Sequence, residues 1–291
     1  MTMKLFKFFI LYFILFISCS SKTDSDGRIA VVFDFPKKIS EVSGIIYHRD
    51  IIWCVQDSGN SNEVLGFDDA GKLVERIEVR DAENIDWEAI TADKEGNLYI
   101  GDFGNNDNDR QDLTIYKLAA SDYGNVSEKI TFYYPEQKDF PAKKSEKLYD
   151  CEAFFLYQNA FYLFTKNRSK GFDGTALIYK VPATAGHHPA KLIGQLKTCS
   201  RYNTCVITGA AISPDEKQIV LLGHDRIWLF EDFKGDDFLS GHFSELALNH
   251  YSQKEGICFK DDQTLYLADE RSKKTGGKLY EVTLEALKSS H

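Results

Sequence analysis

Short apolar runs separated by polar turns recur along the chain in a four-part unit, and the unit appears five times. The first part is a small-residue strand: Gly44-Ile-Ile-Tyr47, Ala89-Ile-Thr91, Ala153-Phe-Phe-Leu156, Ala210-Ala-Ile-Ser213 and Gly256-Ile-Cys-Phe259. The second is more apolar: Ile51-Ile-Trp-Cys-Val55, Leu98-Tyr-Ile-Gly101, Phe161-Tyr-Leu-Phe164, Ile219-Val-Leu-Leu222 and Leu265-Tyr-Leu-Ala268. The third begins at Val64, Leu113, Ala176, Ile227 and Lys278. The fourth, at 73–79, 129–134, 191–197 and 243–248, alternates apolar and polar residues as a half-exposed outer strand does. The fifth unit lacks this strand, and Ile29 to Phe35 at the other end of the chain supplies a run of the right kind.

Repeats of this length predict a β-propeller of four-stranded antiparallel blades, closed by the N-terminal strand so that no edge stays open between the first and last blades. The strand count gives five blades. Length alone would also suit six at about 43 residues each, but the long loops at 135–150 and 197–204 absorb the difference. The propeller is assigned to 28–286. Only the tail at Leu284 has a helical pattern.

The residues before the propeller carry an export signal. Lys4 and Lys7 precede an apolar run, Leu5 to Ile17, that is too short to span a membrane comfortably. The run ends in Phe16-Ile-Ser-Cys19, which resembles a bacterial lipobox and predicts a signal peptide over 1–18, lipid on Cys19 and a tether over 19–27. The expected location is the bacterial cell envelope, at the outer membrane, with the lipid as the sole membrane attachment. The five other cysteines include no C-x-x-C pair, which argues against zinc. Cys199 and Cys205 flank a short polar loop and are disulfide candidates in an exported protein. Net charge is −9, and removing Lys4 and Lys7 makes it more negative, so nucleic acid is a poor partner.

Aligning the units on the end of the second strand brings Asp57, Asp102, Lys166, His224 and Asp269 into one set. Fourteen residues before each stand Ser43, Glu88, Glu152, Ala210 and Glu255. In an antiparallel hairpin these two sets share one end. Glu88, Glu152 and Glu255 are therefore expected at one mouth of the channel, with Asp57, Asp102 and Asp269 behind them. Such crowding needs a compensating charge, from a cation, a ligand or the nearby Lys166, Arg168, Arg226 and Arg271. The loops Asp57-Ser-Gly-Asn60 and Asp102-Phe-Gly-Asn105 offer hard oxygen donors, so calcium held by Glu88, Glu152, Glu255 and Asp102 is one reading and ordinary Asx turns another. Catalytic candidates are Glu88, Glu152, Glu255 and His224. Ligand-binding candidates are Asp57, Asp102, Lys166, Arg168 and Asp269.

Asn84-Ile-Asp-Trp-Glu-Ala-Ile-Thr91, Leu98-Tyr-Ile-Gly-Asp-Phe-Gly-Asn-Asn106, Ser43-Gly-Ile45 and Glu255-Gly-Ile257 resemble the SdiA-regulated and phytase-like (esterase-like) propeller families. That resemblance implies a propeller with a polar or calcium site at its mouth. Together with the acids it favours a protein that binds or hydrolyses a polar small molecule such as a phosphate ester, through metal-assisted chemistry if it is an enzyme. The alternatives are a five-bladed glycoside hydrolase, which needs two carboxylates about 5–10 Å apart, and a non-enzymatic scaffold for another envelope protein.

Overall fold

The computed structural model describes residues 28–289. The predicted signal peptide, Cys19 and the tether lie outside the described residues. Five sheets form, and each is a blade. Blade 1 runs from its inner strand Val42–His48 through Ile51–Gln56 and Glu63–Phe67 to Leu73–Glu78. The inner strands of blades 2 to 5 are Trp87–Ala92, Asp150–Tyr157, Gly209–Ile212 and Lys254–Phe259. Each inner strand packs beside the next, and blade 5 returns to blade 1, so the ring is closed around a channel.

Closure is completed by Ala30–Asp34, which pairs antiparallel with Lys278–Thr283 as the outer strand of blade 5. The six-blade alternative is excluded by the five sheets. Blade 2 carries an addition that the repeat did not announce. Gly186–Pro189 lies parallel to its outer strand, Asp122–Tyr133. The helical tail forms at Leu284–Lys288, capped by the Thr283 hydroxyl, which accepts from Ala286 N.

The apolar residues of neighbouring blades interlock into the core. Trp53, Val55, Trp87, Ile100 and Tyr116 join blades 1 and 2, and Phe155, Tyr162, Ile219 and Trp228 join blades 3 and 4. Cys54, Cys151 and Cys258 are buried free thiols within these layers, and Cys199 and Cys205 are joined by a disulfide.

Candidate functional site: carboxylates at one channel mouth

The hairpin register of the inner strands explains how acids come to face the channel. In blade 1, Val42 pairs with Gln56 and Gly44 with Val55, so Ser43 is an extra, bulged residue. Glu88, Glu152 and Glu255 occupy the same bulge in blades 2, 3 and 5. A bulge takes its residue out of the ladder and re-aims its side chain. Blade 4 has no bulge in its ladder, where Gly209 pairs with Leu222. Its equivalent of Ser43 is Thr208, not Ala210. Ser43 Oγ donates to Trp87 O at 2.6 Å, just before Glu88, and Thr208 Oγ1 donates to Lys254 O at 2.7 Å, just before Glu255.

The same register corrects the second set of residues. Gln56, Asp102 and Asp269 hold one position, paired with Val42, Trp87 and Lys254. Asp57, Lys166, His224 and Glu270 hold the next. Asp102 and Asp269 therefore hold a different register position from the channel acids, and Asp102 lies outside both carboxylate groups described below. Asp102 is fully buried, ion-paired to Arg110 Nη1 at 3.0 Å and accepts from Asp86 N at 3.0 Å. Asp269 accepts from Lys278 N at 2.8 Å and from the Tyr280 hydroxyl at 2.7 Å within its own blade. A constant spacing of fourteen residues holds where the hairpin turn has two residues, Arg49-Asp50 or Gln158-Asn159, both with positive φ. Blades 2 and 5 have longer turns, and a slip of one residue transfers a side chain to the other face.

Two residues before the bulge stand further acids. Asp86-Trp-Glu88 and Asp150-Cys-Glu152 repeat an Asp-x-Glu pattern in blades 2 and 3. Asp57, Asp86 and Glu88 bring carboxylate oxygens within 4.8 Å of one another, and so do Glu88, Asp150 and Glu152. Glu88 belongs to both groups. Glu255 joins neither, although burial pushes its carboxyl up and Lys166 lies close enough to pull it down.

The two groups differ in their compensation. Lys166 Nζ and Arg168 Nη2 hold the two oxygens of Glu152, Arg168 at 2.7 Å, and Arg168 Nε holds Asp150. Asn105 N also donates to Asp150, at 2.7 Å. Lys166 and Arg168 are thus committed to carboxylates. Arg226 pairs with Asp225 and Glu245, while Arg271 donates to Phe35 O and Gly277 O, so neither serves the acids.

Asp57, Asp86 and Glu88 have no Lys or Arg ion pair among the described residues. Asp86 is 8% exposed, and its Oδ1 is sealed from water without a hydrogen-bond partner. Burial, then the facing Asp57 carboxyl, pushes Asp86 up to about 7. Burial, followed by Glu152 and Asp57, holds Glu88 well above the usual range. Two carboxylates that face each other at this depth need either a shared proton or a cation between them. Gly104 makes room for the approach: a Cβ there would lie 2.3 Å from Asp86 Oδ2 and 2.6 Å from Glu88 Oε1.

The donors are all carboxylate oxygens, which suit a hard divalent ion and not a soft one. Asn84 fixes the surrounding backbone by donating to Gln56 O and Asp57 O and accepting from Trp87 N. Beside the acids, His224 Nδ1 meets Asn203 O at 2.8 Å, in the disulfide-closed loop, and burial lowers the imidazole to about 4. His224 is therefore neutral near pH 7, with Nδ1 as the donor.

No family model matches the chain, and no curated protein does. Among solved structures, a gluconolactonase from Xanthomonas campestris aligns over 89% of this chain and 90% of that one, at 12% identity and a TM-score of 0.49. A likeness that distant carries no reading of the carboxylate site, which rests on its own geometry.

Proposed function

We propose that this propeller binds a divalent cation, calcium by the chemistry of its donors, between Asp57, Asp86 and Glu88, and that the ion anchors a polar small molecule at the channel mouth. The supporting observation is the buried, partnerless Oδ1 of Asp86 in a carboxylate group that forms no Lys or Arg ion pair among the described residues. A bound calcium would supply Lewis acidity to an oxygen of the ligand, which suits hydrolysis of a phosphate ester. The chain's own residues divide the remaining work. Lys166 and Arg168 neutralise Glu152 and Asp150, which keeps the second group of acids from repelling an anionic ligand. Asp57 is the most open of the three donors and borders the ligand side.

The glycoside-hydrolase reading is weaker on this geometry. It needs a free acid and a free nucleophile or base. Glu152 has both oxygens in ion pairs, and Glu88 is 3% exposed.

Thermal melts with calcium and with chelator test the proposal. At 100 times its dissociation constant, calcium should stabilise the protein by roughly 2.7 kcal/mol. Asp86→Asn keeps the shape and removes one of the facing charges. It should melt above the wild type in chelator and lose at least tenfold in calcium affinity. Equal melting temperatures for both proteins under both conditions would defeat the cation site.

A further inference from the structure

We propose that the channel end opposite the acids is a second binding site, a cup for an uncharged small molecule with an aromatic or branched-aliphatic body. The cup has a volume of about 430 Å3 and takes lining residues from all five blades. Tyr47, Ala92, Leu156, Ile212 and Phe259 occupy the same register on the five inner strands, three residues beyond Gly44 and its equivalents, and form the wall. Two residues back toward the acids, Ile45, Ile90, Phe154 and Ile257 are each at most 5% exposed and pack between neighbouring blades. Ala210 and Ile257, at that level in blades 4 and 5, also line the cup.

The wall selects the ligand. It offers apolar and aromatic surface, and Asp93, Lys94 and Glu216 at the rim are already paired. Asp93 accepts from Asn97 N at 2.8 Å and from the Tyr99 hydroxyl at 2.9 Å, while Lys94 pairs with Glu216 at 2.6 Å. An entering charge would lose hydration, and no unpaired opposite charge is placed on the wall to offset that cost; His48 Nε2 in the lining is buried without a hydrogen-bond partner and offers a ligand a polar contact instead. Cavities of roughly 300–1,000 Å3 hold ligands up to drug size. This one lies toward the small end, which fits a compact ring system and excludes a folded partner.

The Lys94–Glu216 pair also controls entry. Lys94 is on the inner hairpin turn of blade 2 and Glu216 on that of blade 4, so the pair reaches across blade 3, whose own turn is only Gln158-Asn159. Lys94 is 74% exposed. An exposed ion pair adds little stability and is screened by salt. It makes a strap that opens readily.

Titrating the whole protein with N-phenyl-1-naphthylamine, a neutral fluorophore, tests this second site. The expected result is one saturable site with enhanced, blue-shifted emission. Ala92→Phe and Ala210→Phe, which fill the cup from different blades, should each weaken binding at least tenfold while leaving the calcium-dependent melting shift in place. Lys94→Ala, a change at an exposed residue that does not threaten folding, should speed probe release several-fold, as should high salt. No saturable binding to the wild type overturns the proposal. So does binding that is indifferent to whichever filling variant folds, or release that is indifferent to Lys94→Ala.

Discussion

Glu88 is the residue on which the acidic mouth turns. It stands in both carboxylate groups, and every charged neighbour that shifts it most is negative. Its position was legible from the repeat, as were those of Glu152 and Glu255. Asp86 and Asp150 were equally present in the sequence, as paired Asp-x-Glu motifs, but an alignment built on one residue per strand passes over the residue two places earlier. The proton affinities of these acids give a pH dependence. An unfolded Asp titrates near about 3.9 and an unfolded Glu near about 4.3. In the folded protein, burial first and then neighbouring acids raise Asp86 to about 7 and Glu270 to about 8. Carboxyls raised in this way bind protons more tightly when folded. Their stabilisation is complete below the unfolded values and is lost as pH rises through the folded ones. The calcium-free protein should therefore melt at progressively lower temperature from about pH 5 to about pH 8. Saturating calcium should flatten that decline, because the ion takes the place of the protons. A calcium-free melting temperature that rises across this range contradicts the assignment.

The elements that build the site are hairpins, and their turns decided which side chains the sequence could place. Two-residue turns keep blades 1 and 3 in step, so Asp57 and Lys166 fall correctly. The longer turns of blades 2 and 5 shift Asp102 and Asp269 by one position. The bulge that re-aims Glu88, Glu152 and Glu255 has no composition signature of its own, and the longer turn of blade 4, between Ile212 and Ile219, put Ala210 where Thr208 belongs. This distinction is measurable. Asp269→Asn leaves one of two donors, Lys278 N or the Tyr280 hydroxyl, facing an amide N–H in a fully buried place. That should cost about 1–3 kcal/mol of stability, read by denaturant titration, and leave calcium affinity unchanged. A loss of calcium affinity on this substitution would return Asp269 to the mouth.

At the scale of the whole molecule, the closed ring gives the channel two chemically different ends. Acids gather at one, and a cup walled by apolar and aromatic side chains with a polar rim forms at the other. Blade number and closure could be inferred because the fifth unit visibly lacked an outer strand. The cup could not, because it depends on which inner-strand residues share a level, and turn lengths again hide that. The closing strand also sets the direction of entry. Asp34 pairs with Lys278 near Asp269, whereas Ala30 pairs with Glu281 toward the far end, so the chain enters on the face opposite the acids. The central claim is the cation between Asp57, Asp86 and Glu88, and diffraction from crystals grown with calcium tests it most directly. The account predicts an anomalous peak bounded by those three carboxylates, with calcium–oxygen distances of about 2.3–2.6 Å. Asp57 and Asp86 in direct contact with no ion between them, in crystals that contain calcium, would contradict it.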